Sequence, residues 1–372
     1  MARVPSPRFR KRLDCGQAKT VFILRRAANW LLGLWIIVAA TWAVIWKLLG
    51  DRNGNLYLVN SFALWILGSA WLASWLRTLL GGHWWSLPVG EGLGVLFLRH
   101  YAWLVSRREP SSDRSGSSPR ELRVVTANLL KKSRDLTSTA EAFQTHLMDV
   151  AVLQEVTSDA FESLRRPLQT SHPWSYWIST PRARLGLGVV SRWPVAVEQQ
   201  WSVGITGPYC LRLRLLVSGK SLLIYNMHLV SPLYDHPRMS ADRSLAIRTH
   251  QMDTVLEDAL AQDDPVLLMG DWNATEGSDI YRRAHASFVD VWAEYGQGPG
   301  WTWPHNLEPH IGWPFRPCLR LDHAFCSRGL DLGRPQVLDI EAESDHSPLL
   351  VPLHWPPASK PAEVGESDEQ NL

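Results

Sequence analysis

Short apolar runs in this chain end or begin, at six places, beside side chains that carry a carboxylate, an amide or an imidazole. These side chains are Asn128, Glu155, His228, Asp271, Asn273, Asp322, Asp345 and His346. Any one of them alone is most simply a helix cap, a turn residue or a hydrogen-bonded core histidine. Six such positions at the ends of apolar runs, where loops collect functional groups, indicate a shared site.

These residue types suit the hydrolysis of a phosphoester. Carboxylate and amide oxygens bind hard divalent cations, a carboxylate or an imidazole can take a proton from water, and N–H groups can donate to phosphate oxygens. The stretch PVLLMGDWN shows the pattern most clearly. Residues two apart in an extended chain point to the same side, so Asp271 and Asn273 are expected to face one phosphate together, with Trp272 packed on the opposite side.

The runs that position these side chains are predicted strands, and helical patterns alternate with them. Apolar and β-branched segments predict strands over Leu122–Ala127, Val150–Leu153, Leu187–Ser191, Leu211–Val217, Ser221–Met227, Pro265–Met269 and Leu349–Leu353. Hydrophobic spacing predicts helices over Thr137–Leu147, Ser158–Leu168 and Ser240–Ala261. Mixed strands and helices of this kind predict an α/β sandwich. On the last helix, Arg248 and Gln251 are expected to lie on an exposed face.

The segments TANL, QEV, GLGVVSRWP, NMHL, GDWN, RLDHAF and SDHSP, in this order, carry a family resemblance. The series resembles the endonuclease/exonuclease/phosphatase superfamily, which has the fold of pancreatic type I deoxyribonuclease, and it covers residues 121–355. The resemblance implies a four-layer α/β sandwich with two central β-sheets flanked by helices. Apolar segments in the first third of the chain predict that an N-terminal transmembrane helical region precedes it. It also implies phosphoester hydrolysis with a divalent metal, usually Mg²⁺, for which Mn²⁺ can substitute.

The same resemblance implies a role for each site residue. Glu155 would be the principal metal ligand, with Asn128 beside it and Asp345 completing the metal environment.

The remaining residues would act on the substrate and the attacking water. Asp271 would orient or deprotonate the water, Asn273 would donate to the phosphate, and His228 would contact a phosphate oxygen. His346 would lie over the scissile phosphate, held by Asp322, because a carboxylate partner fixes the tautomer of an imidazole and stabilises its charged form. The sequence leaves open whether Asp271 or His346 is the base, and whether one metal ion or two act.

Basic residues are concentrated in the first third of the chain. Residues 1–120 carry 16 Lys/Arg against 5 Asp/Glu, whereas residues 121–356 carry 21 against 27. A nucleic-acid groove needs its cations on the domain that binds. The distribution therefore favours an anionic membrane surface as the neighbour of the N-terminal third.

Two apolar segments in that third have the length of membrane spans. Trp30–Leu49 carries one charge, Lys47, and Leu56–Leu76 carries none, and about 20 residues suffice to cross the hydrocarbon core. Trp84–Val105 is a third candidate, weakened by Pro88, Glu91 and Arg99. We therefore expect a multi-pass protein of the cell membrane.

The number of spans would decide the side of the membrane on which the main domain lies. Basic residues near the N-terminus place that terminus inside. Two spans would leave the main domain in the cytoplasm and three would export it.

The predicted organisation has four parts. These are a basic N-terminus and membrane region over 1–106, a flexible linker over 107–120, the catalytic domain over 121–356 and an acidic disordered tail over 357–372.

The substrate class stays open between alternatives. A catalytic domain held by apolar helices favours a membrane-associated phosphoester, either a phosphorylated lipid or a polyprenyl diphosphate, as membrane-anchored bacterial relatives suggest. A metal-dependent nuclease acting on DNA or RNA is the main alternative, because that branch of the superfamily uses the same residues. An inactive membrane scaffold is the third, and the presence of Glu155, Asp271 and His346 disfavours it. The expected partners are the lipid bilayer and the phosphoester substrate, with no obligate protein partner.

Overall fold

The chain forms two compact units in the computed structural model. Unit 1 comprises Met1–Trp103 with the segment Glu276–Asp279, and unit 2 comprises Leu104–Thr275 with Ile280–Leu372. The structure describes residues 7–104, 108–109, 120–130, 133, 135–179, 186–202, 207–232, 239–305, 316–340 and 344–355.

Unit 1 is helical. Its helices, numbered in chain order, are α1 (Pro7–Leu49), α2 (Gly54–Asn60), α3 (Ala63–Leu79) and α4 (Ser86–Tyr101), followed by a short 3-10 turn over Ala102–Leu104. The helices α1 and α3 run antiparallel, since Trp35 Nε1 donates to Ser69 Oγ at 3.1 Å while Arg25 Nε donates to Leu80 O at 2.6 Å. Unit 1 is therefore built from antiparallel neighbours joined by short connections.

One described helix, Lys19–Leu49, is long and apolar enough to cross a membrane. The second predicted span, Leu56–Leu76, falls on α2 and α3, which meet at a bend of 56°. The third candidate forms α4, whose 16 residues span about 24 Å at 1.5 Å per residue, less than the hydrocarbon core. Among the described residues, length and composition thus support one crossing by a single helix, and a second only if the bent pair is one span.

Unit 2 is built on two six-stranded sheets. The first sheet has the order β11-β12-β1-β2-β4-β3, formed by β1 (Arg120–Asn128), β2 (Val150–Val156), β3 (Trp174–Ser179), β4 (Gly186–Ser191), β11 (Gln336–Val337) and β12 (Leu349–Trp355). The second has the order β5-β6-β7-β8-β10-β9, formed by β5 (Val195–Ser202), β6 (Pro208–Val217), β7 (Lys220–His228), β8 (Val266–Asp271), β9 (Val289–Asp290) and β10 (Asp322–Cys326).

Each sheet contains one parallel pair at its centre, and a helix connects the two strands of that pair. The strands β1 and β2 are parallel and are joined through α5 (Thr137–Thr145), while β7 and β8 are parallel and are joined through α7 (Ala241–Leu260). A parallel pair needs such a crossover, which places a helix on the face of the sheet. Every residue of β8 is buried, as its uninterrupted apolar run requires of a central strand.

Helices cover the outer faces of the sheets and complete the four layers. On the first sheet, α5 and α6 (Ser158–Leu168) bury Phe143 and Phe161 in one apolar cluster with Leu153. On the second, Tyr225 of β7 donates its hydroxyl to Asp258 of α7 at 2.6 Å. Two short helices, α8 (Asp279–Ser287) and α9 (Val291–Tyr295), lie before and after β9. The four-layer α/β sandwich is confirmed.

A buried polar contact joins the inner faces of the two sheets. Gln154 Nε2 of β2 donates to Asn226 Oδ1 of β7 at 2.7 Å, and the Asn226 amide donates in turn to Leu153 O at 3.1 Å. Because residues alternate along a strand, Asn226 points inward while its neighbour Tyr225 points to α7. These bonds satisfy polar groups that would otherwise be costly to bury, and they connect the strands that precede Glu155 and His228.

The predicted strands and helices all exist, with ends shifted by up to a few residues, but several elements were not predicted. The helix over Ser158–Leu168 has the predicted bounds. The strands missed are β3, β5, β9, β10 and β11, and the helices missed are α8 and α9. The edge strands β3 and β5 contain no fully buried residue, and polar residues interrupt their apolar ones, so they lack the continuous apolar run of a central strand. Most of the predicted linker and all of the tail from Pro357 lie outside the described residues.

A buried ion pair holds the segment that leads into β10. Arg320 NH2 lies 2.6 Å from Asp290 Oδ2, and both side chains are at most 1% exposed. Burial opposes ionisation of Asp290, but the charge and hydrogen bonds of Arg320 outweigh it and lower the pKa of Asp290 to about 2. Asp290 Oδ1 also accepts from Trp292 N at 2.9 Å and so caps α9.

We expect Asp290→Asn to destabilise unit 2 by about 3–5 kcal/mol, because the substitution leaves the Arg320 charge buried without its carboxylate. Such a loss corresponds to a fall of roughly 10 °C in melting temperature for a unit of this size. The Asp290 contribution is fully present above the unfolded pKa near 4 and is lost as pH falls towards 2, so the difference between wild type and variant should shrink over that interval. Thermal melting followed by near-UV circular dichroism measures both effects.

The matched control is the Arg283–Asp253 pair, in which both side chains are 48% exposed. Arg283→Met should cost under about 1 kcal/mol, because solvent screens exposed pairs. Equal destabilisation by the buried and exposed substitutions would contradict this account of Arg320.

Candidate active site

Three of the predicted site residues lie in one row across the second sheet. Strands β7 and β8 pair His228 with Asp271, and β8 and β10 pair Asp271 with Asp322. The row follows from strand order and register, because residues opposite each other on adjacent strands are nearest neighbours. Gly270 has φ +141°, and a Cβ added there would lie 1.8 Å from Met227 O. Only glycine therefore allows the backbone of β8 to approach β7 this closely.

The first sheet adds Asn128 at the end of β1 and Glu155 near the end of β2. The pairing of β2 with β4 shifts register between Leu153 and Val156, and Glu155 has φ +54°. Such a bulge re-aims a side chain at a cost of about 1–3 kcal/mol for the left-handed residue. The local distortion therefore turns Glu155 out of the regular alternation of the strand.

The two sheets bring these side chains into direct contact. Asn128 Nδ2 lies 3.0 Å from Asp271 Oδ2 and 3.3 Å from Glu155 Oε1. His228 Nε2 lies 3.5 Å from the same Glu155 oxygen and 3.9 Å from Asp271 Oδ2. We call Asn128, Glu155, His228 and Asp271 the carboxylate cluster.

The carboxylate cluster favours an ionised Glu155. Burial raises the pKa of Glu155, but the hydrogen bond and positive charge of His228 outweigh burial and lower it to about 2. Burial likewise opposes the charged form of His228, and the Glu155 carboxylate outweighs it, so the pKa of His228 is raised. Glu155 therefore stays negative at every pH at which the protein is expected to work.

His346 and Asp322 form a hydrogen-bonded pair beside this cluster. His346 Nδ1 lies 2.8 Å from Asp322 Oδ2, and His346 Nε2 lies 3.8 Å from Asp271 Oδ2. Burial lowers the pKa of His346, but the charges of Asp322 and Asp271 outweigh it and raise the pKa to about 10. Burial raises the pKa of Asp271. The positive charge of His346 lowers this pKa and the negative charge of Asp322 raises it, and the net effect is an increase. The contact predicted between His346 and Asp322 is present.

Asn273 contacts Asp271 through a turn and not through strand alternation. Strand β8 ends at Asp271, and Asn273 has φ +50°. Its backbone N–H donates to Asp271 Oδ1 at 2.8 Å, and its Nδ2 lies 3.1 Å from Asp271 Oδ2 and 3.0 Å from Leu229 O. The expectation assumed that Asp271 and Asn273 both lie in an extended strand. That assumption is wrong, because the strand ends at Asp271 and Asn273 lies in a turn. Asn273 orients the Asp271 carboxylate in this structure, whereas Trp272 is buried against Phe325 as expected.

The structure does not bring Asp345 into the carboxylate cluster. Asp345 Oδ2 accepts from Trp303 Nε1 at 3.2 Å. Asp345 is absent from both groups of described residues whose acidic or histidine ligand atoms lie within 4.8 Å of one another. Its charge nevertheless contributes to the raised pKa of His346.

Arg248 and Gln251 were expected on an exposed face, and this expectation is wrong. Both side chains are 0% exposed. Arg248 NH1 donates to Val230 O at 2.9 Å and to Asn273 O at 3.2 Å, and Gln251 Oε1 accepts from Val230 N at 3.0 Å. These two residues of α7 therefore hold the loops that follow β7 and β8, a role that a helical pattern alone does not reveal.

Ser344 and Thr302 also support the site and were not predicted. Ser344 Oγ donates to Asn128 O at 2.6 Å and accepts from His346 N at 3.1 Å, so it ties the end of β1 to His346. Thr302 Oγ1 accepts from Asp322 N at 3.2 Å. The only sequence signal for Ser344 was its place in SDHSP.

The donors present fit a hard divalent cation. Glu155, His228 and Asp271 form one group with ligand atoms within 4.8 Å of one another, and Asp271, Asp322 and His346 form a second. Asp322 Oδ1 is buried and accepts no hydrogen bond from the described residues. A buried carboxylate oxygen without a donor, in the same ligand group as Asp271, is the type of environment that a bound cation would stabilise.

Comparison with known proteins finds one matching family model and several similar solved structures. A model described as the Endonuclease/Exonuclease/phosphatase family matches residues 125–346. Similar solved structures include an endonuclease/exonuclease/phosphatase family protein from Leptotrichia buccalis, 16% identical with a TM-score of 0.48, covering 62% of this chain and 99% of that one. A mannosyl-6-phosphatase from Bacteroides thetaiotaomicron is 19% identical, with a TM-score of 0.48 and the same coverage of 62% and 99%.

A third similar structure is a D. rerio TDP2 humanized by 14 mutations. It is 18% identical with a TM-score of 0.48, covering 63% of this chain and 98% of that one. No curated protein sequence matches this chain.

Proposed function

The chain belongs to the endonuclease/exonuclease/phosphatase family, and we propose from its geometry that it is a membrane-anchored, divalent-metal-dependent hydrolase of a phosphorylated lipid or polyprenyl diphosphate. The family indicates a hydrolase that acts on phosphoester bonds. The surroundings of Asp271 Oδ2 are the observation that supports the hydrolase part of the proposal most directly. Asp271 Oδ2 lies 3.0 Å from Asn128 Nδ2, 3.1 Å from Asn273 Nδ2, 3.8 Å from His346 Nε2 and 3.9 Å from His228 Nε2.

A divalent cation, Mg²⁺ or in its place Mn²⁺, would be held by Glu155 with Asn128 beside it. When bound, it would neutralise charge on the phosphate oxygens and lower the pKa of water. The Glu155 carboxylate supports this assignment, because carboxylate oxygens are among the ligands that these ions prefer.

The chain's own residues supply proton transfer and charge stabilisation. Asp271, with a raised pKa, is suited to accept a proton from the attacking water. His346, with its pKa near 10, stays protonated at neutral pH and can donate from Nε2 to the phosphate or to the leaving oxygen. Asp322 holds Nδ1, so that Nε2 is the nitrogen that faces Asp271. This arrangement supports Asp271 as the base and His346 as the acid.

The N-terminal region supports a substrate that is itself part of a membrane. The helix Lys19–Leu49 is long and apolar enough for a span, and residues 121–356, with 21 basic against 27 acidic residues, lack the excess of cations that a nucleic-acid groove needs. A nuclease is the alternative that the test must separate, because the same residues would cut nucleic acid.

The experiment purifies the full-length protein from membranes that have first been washed at alkaline pH. Retention after the wash is expected for an anchored protein, and release into the wash would overturn anchoring. The purified protein is then incubated with a polyprenyl diphosphate, sphingomyelin, phosphatidylinositol phosphates and plasmid DNA. We expect turnover of a lipid substrate that EDTA abolishes and added Mg²⁺ or Mn²⁺ restores.

Each other outcome contradicts a named part of the proposal. Cleavage of DNA with no lipid turnover would make the protein a nuclease. Full activity in EDTA would contradict metal dependence. No turnover of any substrate with either ion would favour the inactive scaffold.

A further inference from the structure

A cavity of about 970 Å³ lies in unit 1, between the middle of α1 and the connection from α3 to α4. Three arginines line it, Arg25 and Arg26 from α1 and Arg77 from the last turn of α3. No aspartate or glutamate is among its described lining residues. The cavity therefore concentrates positive charge that has no carboxylate to neutralise it.

Backbone carbonyls of the connection and of α1 hold two of the arginines in place and leave some of their N–H donors unused. Arg25 Nε donates to Leu80 O at 2.6 Å, and Arg77 Nε donates to Asn29 O at 3.0 Å. The Arg77 guanidinium also lies 4.7 Å from the centre of the Trp85 ring. Because each guanidinium has five N–H donors, these contacts fix the arginines without using their full capacity for an anion.

Arg26 has no structural task of this kind. It lines the cavity but makes no hydrogen bond or ion pair with any part of the chain that the structure describes. An arginine that faces a cavity without a partner adds charge there and no internal stability.

The remaining lining is apolar and open to the surroundings. The cavity is also lined by Phe22, Trp30, Leu34 and Ile37, and each of these residues exposes more than half of its surface. Exposed apolar side chains next to a cluster of arginines fit a molecule that has an anionic head and apolar chains. A free inorganic anion would use the arginines but gain nothing from this apolar lining.

We propose that this cavity binds an anionic glycerophospholipid, with the phosphate of the headgroup at Arg25, Arg26 and Arg77 and the acyl chains along the exposed face of α1. The proposal rests on the membrane anchoring proposed above. It goes beyond the hydrolase activity, because the cavity contains none of the residues of the carboxylate cluster. The lipid is a bound component of unit 1 and is not the substrate.

The test measures lipid retention by native mass spectrometry of the full-length protein in detergent. Phosphatidylglycerol and phosphatidylcholine with identical acyl chains are titrated separately, and tighter binding of phosphatidylglycerol is expected. Arg26→Gln should weaken phosphatidylglycerol binding about fivefold, and the double variant Arg25→Gln/Arg26→Gln about 30-fold, from roughly 1 kcal/mol per basic residue. Arg26→Gln breaks no internal hydrogen bond, so its effect does not depend on a change of fold.

The matched control is Arg99→Gln, on α4 and exposed but not a lining residue of the cavity. It should bind phosphatidylglycerol within twofold of wild type, and Asp271→Asn should do the same, because retention requires no turnover. A wrong substrate or an inactive catalytic site would therefore leave this result unchanged. Equal binding of the two lipids, equal loss in Arg99→Gln, or complete displacement of phosphatidylglycerol by millimolar inorganic phosphate would each overturn the proposal.

Discussion

Replacing Asp271 with asparagine is expected to lower kcat roughly 10³-fold, within the range that general acid–base groups contribute. The carboxylate is nearly fully buried, and it accepts hydrogen bonds from Asn128 Nδ2 at 3.0 Å and from Asn273 Nδ2 at 3.1 Å. An amide cannot accept the proton of the attacking water. Its NH2 group also cannot accept the hydrogen bonds that Asn128 and Asn273 donate to Asp271 Oδ2. Hydrolysis of the chromogenic phosphodiester bis(4-nitrophenyl) phosphate in Mg²⁺ measures the loss whatever the natural substrate is.

The control for this substitution is Asp263→Asn, which removes an exposed carboxylate before β8. It should leave the rate within twofold of wild type, and both variants should give the same melting temperature within a few degrees. An Asp271→Asn protein that is folded and keeps more than a tenth of the wild-type rate would contradict the role of Asp271 as base.

Replacing Asp322 with asparagine is expected to lower the rate at pH 8 by about 10²-fold or more and to move the alkaline limit of activity to lower pH. His346 is protonated below its raised pKa of about 10 and loses its proton as pH rises through that value. The Asp322 charge is the largest of the effects that raise this pKa, so its removal shifts the loss of the proton towards the ordinary value near 6.5. Rates of the same chromogenic substrate between pH 6 and 10 measure the shift.

The test of Asp322 includes His346→Ala and the double variant. If Asp322 acts through His346, the rate of the double variant should lie within a few-fold of the rate of His346→Ala. The effects of substituting residues that act as a unit are not additive. His250→Ala, which removes an exposed histidine of α7, should leave the pH profile unchanged. An unchanged alkaline limit in Asp322→Asn would show that Asp322 does not control the protonation of His346.

Local patterns were sufficient for the central strands and for most of the site. The uninterrupted run before Asp271 predicts a buried strand, and β8 is buried throughout. The helix over Ser158–Leu168 begins after Thr157, whose side chain accepts from Ala160 N, and this cap is readable from the sequence. These features depend on residues close together in the chain, so they can be predicted from a single sequence.

Edge strands and helix breaks could not be predicted in this way. Strand β5 pairs only with β6 and leaves most of its residues exposed, so its sequence lacks the apolar run of a central strand. The apolar segment Leu56–Leu76 carries no proline or charge to signal the bend between α2 and α3. In neither case does the local pattern of apolar residues show where the element lies or where it bends.

The sequence by itself determined which chemical groups this protein carries at its strand ends, because apolar runs and the ordered motifs are properties of short segments. The tertiary structure alone decided how those groups meet. The register of β7, β8 and β10 sets His228, Asp271 and Asp322 in one row, the irregular β2 turns Glu155, and the buried Arg248 holds the loop of Asn273. Each of these depends on contacts between residues far apart in the chain, which no local period encodes, and the same long-range packing keeps Asp345 with Trp303 and outside the carboxylate cluster.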